Sequence, residues 1–241
     1  MQFDEINGPT LDEGNDTKVI AQTRQTTVGI GSKIFELAIW LVGFIPGIIV
    51  LIALGFDQVA GYIVLALGII PGIVLTVKKT HAKNYFEQLQ QKLQQDRSTI
   101  DNYIEQRVVI LQNCAQLVKK SIDLDKDTFS AIAALRSGVN PNLSEKQDAV
   151  DNAFAKMTMT LENYPDLQAH KDIASAMQQN SYLQMEITAA REVYNSRVNQ
   201  WNRDIFAWPI KQIVAAKLQL RTVVPFATSK AIKEAARGTF F

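Results

Sequence analysis

Cysteine occurs once in this chain, as Cys114, and histidine twice, as His81 and His170. One thiol excludes an internal disulfide framework and any multi-cysteine metal site. Two imidazoles leave too little for a zinc or copper cage, or for a histidine acid–base pair. A surplus of charge is equally missing. The 25 Lys+Arg stand against 24 Asp+Glu, a net +1, which excludes a protein that grips nucleic acid through overall basicity. No Ser–His–Asp set, phosphate loop or H-E-x-x-H pattern occurs. The expectation is a protein that is not an enzyme, with no catalytic, cofactor-binding or metal-binding residues and no nucleic-acid partner.

Charge is also missing locally. Residues 34–77 hold only two charged side chains, Glu36 and Asp57. Within them, residues 37–56 form an apolar run of 20 and residues 59–77 one of 19, separated by Asp57 and Gln58. Each can cross the ~30 Å hydrocarbon layer at ~1.5 Å rise per residue. A signal peptide fits poorly, because the first run starts late and a second follows. One buried soluble helix also fits poorly, because Gly55, Asp57 and Gly61 interrupt it. The reading is a transmembrane helical hairpin. Lys18, Arg24 and Lys33 precede it, Lys78, Lys79, Lys83, Lys92 and Arg97 follow it, and the tip carries an acid and no base. Basic flanks stay cytoplasmic, so both termini are expected there, and the lone cysteine fits that reducing side. The mean hydropathy of −0.03 averages this hairpin with water-facing sequence.

The hairpin repeats itself: G-F-I-P-G-I-I from Gly43 and G-I-I-P-G-I-V from Gly68 share the pattern G-x-I-P-G-I-x. Gly43 with Gly47, and Gly68 with Gly72, make faces through which helix backbones approach closely, against each other or against neighbouring copies. Pro46 and Pro71 each remove a ladder hydrogen bond and bend their helix. Counted from the tip, they fall at similar depth. These six residues are the candidate membrane-packing set, read either as a kinked wedge that oligomerises or bends the membrane, or as a plain tight anchor. No ionisable group lies mid-membrane, which argues against a transport pathway.

Residues 1–17 hold five acidic and no basic side chains. So little apolar surface cannot offset ordering entropy, and residues 1–30 are expected to form a flexible acidic tail. From residue 80 the pattern turns helical. Phe86, Leu89, Leu93, Ile100, Ile104, Val108, Leu111, Ala115, Val118 and Ile122 recur at steps of three, four or seven, an apolar stripe on a helix of about 40 residues. The steps from Ile100 to Ile104 to Val108 shift the heptad phase as a stutter does. After a turn near residues 139–143, Ser144-Glu-Lys-Gln147 reads as a capping box, and Tyr164-Pro165 ends the helix it opens. A second long helix, near residues 170–205, carries Ile173, Met177, Leu183, Ile187, Ala190, Tyr194, Val198, Trp201 and Ile205, and stops at Trp208-Pro209. No run alternates with period two. The fold class is all-α: the hairpin at residues 34–77, then an elongated antiparallel bundle with two long helices over residues 80–206. Residues 207–241 form a basic amphipathic tail with Lys211, Lys217, Arg221, Lys230, Lys233 and Arg237 against one acid, Glu234. Such a tail either lies on anionic lipid headgroups or packs on the bundle.

Glu162-Asn163-Tyr164-Pro165-Asp166-Leu167, followed by Arg191, Tyr194, Asn195, Val198 and Asn202, resembles the LemA family. Ile100, Asp101, Arg107, Leu111, Gln112, Asn113, Val118 and Lys119 fit the same pattern, as does Phe206-Ala-Trp-Pro209. The resemblance covers roughly residues 80–216. Such families usually carry one N-terminal membrane helix where this chain has two, and Gln112 stands in place of a proline. The resemblance implies bacterial inner-membrane proteins with a cytoplasmic helical domain, no established enzymatic activity and, for some members, membrane remodelling. By itself, Tyr164-Pro165-Asp166 reads as a stiff turn whose aspartate caps the next helix. Arg191 and Asn195 lie one turn apart on a face that continues to Asn202. They either fix register across a bundle seam or form part of a partner-binding patch.

The expected function is a self-associating membrane scaffold or remodelling factor, touching anionic lipids and forming homo-oligomers. The alternative is a membrane-tethered adaptor or sensor that recruits a protein partner through the bundle.

Overall fold

The computed structural model describes residues 23–54, 59–121, 130, 132, 135, 143–168 and 170–226. The acidic segment before residue 23, the hairpin tip with Asp57, the turn at residues 139–142, and Lys230, Lys233 and Arg237 lie outside them. The described chain is all-α: α1 (Ile30–Leu54), α2 (Val59–Gly68), α3 (Ile70–Ser121), α4 (Leu143–Glu162), α5 (Pro165–Gln168), α6 (Lys171–Asp204) and α7 (Ile210–Lys217). The sole extended pairing among the described residues is a single antiparallel bridge, Gln25 to Arg221.

The sequence divides a hairpin at residues 34–77 from a bundle at residues 80–206, and one helix runs through both stretches. α3 is one helix of 52 residues that begins inside the second apolar run. The break falls earlier, between Gly68 and Ile70, where Pro71 lacks the N–H that would close the ladder onto Leu67.

The chain forms two compact units, Met1–Lys92 with Arg197–Val224 and Leu93–Ser196 with Pro225–Phe241. In the first unit, α1 runs antiparallel to α2 and the start of α3. A Cβ on Gly43 would overlap the Gly68 carbonyl oxygen, and one on Gly47 would lie 2.6 Å from Leu65 Cα. Farther from the tip, Gly72 faces the Trp40 ring, and Glu36 pairs with Lys79 at 2.6 Å. The register is set by this backbone contact rather than by counting from the tip. That corrects the equal-depth expectation for the prolines. Pro46 lies three residues towards the tip from Gly43, and Pro71 three residues away from it past Gly68. They are therefore offset by roughly 9 Å along the hairpin at ~1.5 Å per residue.

In the second unit, α6 runs antiparallel to α3, as the pairing of Arg107 with Asn180 and the facing of Arg97 and Tyr194 require. α4 runs parallel to α3: Lys146 reaches Asp101 and Glu105, and Arg107 reaches Asp151. The antiparallel expectation therefore holds for the long pair and not for α4. Ile132, which lies between α3 and α4 in the sequence, is 2% exposed and joins the core. That core is the predicted stripe of Ile100, Ile104, Val108, Leu111, Ala115 and Val118, closed by Val150, Ala153, Met157 and Leu161 of α4 and by Ile173 and Ile187 of α6. Ser144, expected to open this helix, is its second residue, and Gln147, buried, accepts a hydrogen bond from Arg191.

Candidate functional site

The outer surface of the hairpin is apolar and uncovered. Only 6% of the most apolar stretch of α1 is buried, whereas a core helix of a soluble protein would be mostly buried. Ile34, Leu37, Ile45, Ile49 and Ile52 of α1, Ile63 and Leu67 of α2, and Ile73 and Val77 of α3 stand exposed together. A continuous apolar face of this extent exceeds what a water-facing surface carries without a partner. Two helical stretches, Ile30–Ala53 and Gly61–Lys120, are long and apolar enough, by length and composition, to cross a membrane. The candidate glycines Gly43, Gly47 and Gly68 are covered by the facing helix of the same chain, while Pro46 and Pro71 are exposed.

Below the hairpin, still in the first unit, a polar cluster joins α3, α6 and α7. The Tyr85 hydroxyl donates to the Asp204 carboxylate and accepts from Gln200 Nε2 at 2.8 Å. Lys211 Nζ lies 2.9 Å from Asp204 and over the Tyr85 ring, and Arg203 Nε reaches the other Asp204 oxygen at 3.2 Å. Burial pushes the Asp204 carboxyl up, but the hydrogen bonds from Tyr85, Lys211 and Arg203 outweigh it and hold the group below the ordinary 3.8. A carboxyl depressed on folding contributes stability above its unfolded value and loses it as pH falls through the folded one. Asp204→Asn is therefore expected to lower the melting temperature at neutral pH and to flatten the loss of stability below about pH 4. Melting curves of the reconstituted chain between neutral and acid pH check this. An unchanged acid limb would contradict it.

On the same unit, Asn202 grips the backbone of Val223 from both sides: Nδ2 donates to its carbonyl and Oδ1 accepts from its N–H, each at 2.8 Å. Trp201 Nε1 donates to Arg221 O at 2.8 Å, and residues 24–26 pair with residues 220–222 through Thr26 N to Leu220 O and Thr222 N to Arg24 O. Lys211, a lipid candidate by sequence, is thus turned onto Asp204. Lys217 and Arg221 are exposed.

In the second unit, Asn195 grips Phe226 in the same manner, at 2.9 Å and 2.7 Å, and the Arg191 guanidinium sits 4.4 Å from the centre of the Phe226 ring. Tyr194 meets that ring edge-on. Glu162, Asn163, Tyr164, Pro165 and Asp166 are exposed at the other end of α4. Leu167 packs on the core, and Asn163 bonds back to Met159 O at 3.2 Å. Asp166 makes no capping hydrogen bond among the described residues and sits in the first turn of α5. The two halves of the family pattern are therefore not one site. Gln147, which receives Arg191, and Tyr164 are separated by most of α4, about 25 Å at ~1.5 Å per residue. Asn113 is exposed on α3, away from both. Beside the Tyr164 turn, α4 and α6 leave a cleft of about 470 Å³ lined by Phe154, Leu161, Ile173 and Met177, with Gln168 and Gln178 at its edge.

Sequence reasoning named Arg107 only within the family pattern and missed the buried network it builds in this unit. Arg107 is fully buried. It holds Asp151 at 2.6 Å and Asn180 Oδ1 at 2.9 Å, stacks on Phe154, and receives Asn180 Nδ2 on its own carbonyl. Its position three residues after Ile104 and four before Leu111 places it on the buried face, which was the available signal. Cys114 is buried as well, and burial pushes its thiol up to about 11, leaving it protonated and unreactive. Among the described residues no three His, Cys, Asp or Glu side chains converge as a metal cage requires.

A search of curated proteins found no match. The sequence model of the LemA family matches residues 96–240, more than half of the chain, and so extends through the tail beyond Leu218 that had no counterpart in the motif resemblance. The matched region takes in the Arg107 network, the Tyr164 turn and both asparagine clamps, and by that extent the chain belongs to the LemA family.

Proposed function

We propose that this protein is a non-enzymatic membrane scaffold. The α1–α2 hairpin and the start of α3 are embedded in the bilayer, and the helical domain is held at the cytoplasmic face of a bacterial inner membrane. The observation that carries this reading is the uncovered apolar surface of the hairpin. It is continuous on α1, α2 and the start of α3, and ends where Glu36 pairs with Lys79. The excess of bases flanking the hairpin over its tip supports the orientation. Homo-oligomers are part of the proposal. Because the glycines are covered within the chain, copies would meet through the outward face that carries Pro46 and Pro71.

Imaging of the purified chain in lipid vesicles tests this. Discrete multimers in the bilayer, with altered vesicle shape, are the expected result. Monomers in unperturbed vesicles at all protein densities would overturn the scaffold role. A second reading, an adaptor that recruits a protein, is favoured by the cleft of about 470 Å³ beside the exposed Tyr164 turn. Photocrosslinking from Tyr164 would then give one discrete heterologous adduct in native membranes.

A further inference from the structure

The turn before the last helix of the first unit carries an apolar feature that lies outside the core. At the corner between α6 and α7, Trp208 is 61% exposed and Phe206 36% exposed. Two bulky aromatics side by side in water form an unfavourable surface unless something covers them. Their neighbours identify the cover. Phe35, in the second turn of α1, packs on Trp208 with ring centroids 5.2 Å apart. The next residue along α1 is Glu36, whose ion pair with Lys79 marks where the charge-free part of the hairpin begins. Trp208 is therefore level with the end of the apolar sleeve and continuous with it. Charge at this level is basic: the Arg24 guanidinium lies 5.7 Å from the centre of the Phe206 ring, and Lys33 and Lys78 are exposed on the flanks of α1 and α3.

Tryptophan beside an apolar helix end, with bases around it, is the combination that settles at the lipid–water boundary. The indole body enters the acyl edge, its N–H meets the headgroup layer, and cations meet anionic phosphates. We propose that the Phe206–Trp208 corner is a membrane-interface foot, which seats α7 and the end of α6 on the bilayer surface beside the hairpin. The inference rests on the hairpin being in the bilayer. It adds an aromatic corner to the lipid contacts expected of the basic tail, of which Lys211 is engaged by Asp204 while Lys217 and Arg221 are exposed.

Tryptophan emission in vesicles containing lipids brominated high on the acyl chain tests the proposal in the full-length protein. Trp201 is buried and common to every variant, so the comparison is between Trp40→Phe, which leaves Trp208 reporting, and Trp40→Phe with Trp208→Phe. The expected result is that brominated lipid quenches the first and not the second. Bromine placed deep in the chain should quench Trp208 less, and phosphatidylglycerol should increase the quenching over pure phosphatidylcholine. Quenching of Trp40, read in Trp208→Phe, reports the hairpin separately. Trp40 quenched while Trp208 is not would overturn the foot and leave the hairpin standing. Neither quenched would overturn both. Deep bromine quenching Trp208 better than shallow would overturn the interfacial position.

Discussion

Replacing Asp151 with alanine is expected to destabilise the reconstituted protein by about 3 kcal/mol, at the low end for breaking a buried ion pair because Asp151 keeps some contact with water. The Arg107 side chain is 0% exposed and that of Asp151 19%, so the substitution leaves a guanidinium inside the core without its counter-charge. Arginine as a residue type keeps its charge in proteins, and this side chain lies fully buried over Phe154 and against Asn180. The double substitution Arg107→Met with Asp151→Leu should recover part of the loss, because removing both charges also removes their desolvation. It should not recover all of it. Asn180 is fully buried, and without Arg107 Nε its Oδ1 has no donor, a deficit of about 1–3 kcal/mol. Thermal unfolding followed by helical circular dichroism checks the series. A double variant less stable than Asp151→Ala would contradict the account of Arg107 as a costly charge held by its partner.

The second large effect is expected in the hairpin, and there the smallest side chain is enough. Gly43→Ala places a methyl group on the Gly68 carbonyl oxygen. Backbone cannot rotate away as a side chain can, so the helices must separate or slide, at about 1–3 kcal/mol for overpacking a tight contact. Gly72→Ala meets as its nearest atoms the far edge of the Trp40 ring, a side chain rather than backbone, and should be nearly silent. Spin labels at Leu41 and Ile70, exposed and near the same level, should report a longer and broader distance in Gly43→Ala and an unchanged one in Gly72→Ala. Equal responses would mean that the seam is not set by the Gly43–Gly68 backbone contact.

These two sites differ in how far the sequence discloses them. The glycine repeat is visible because small residues four apart have one use in a membrane helix. Its partner is not visible, since a glycine face fits a neighbouring copy as well as the returning helix of its own chain. Prolines counted from the tip looked level, but the register follows a contact that no count reveals. The stripes from Phe86 to Val118 and from Ile173 to Ile205 were legible because helical period repeats the same solvent preference many times over. Arg107 was not, because one arginine within such a stripe reads as an interruption until Asp151, 44 residues on, is brought beside it. The clamps of Asn195 and Asn202 were hidden for a related reason. An asparagine that binds backbone imposes no residue type on its partner, so Phe226 and Val223 carry no mark of the pairing.

The central claim is that the hairpin crosses the bilayer and returns, and that the rest of the chain lies on the side it started from. Single cysteines introduced as Lys33→Cys, Asp57→Cys and Lys78→Cys, treated with a membrane-impermeant maleimide in sealed vesicles of known orientation, test it most directly, with buried Cys114 as an internal unreactive control. The account predicts that Lys33→Cys and Lys78→Cys label from one face and Asp57→Cys only from the other. Labelling of all three from the same face, or of Lys33→Cys and Lys78→Cys from opposite faces, would contradict it.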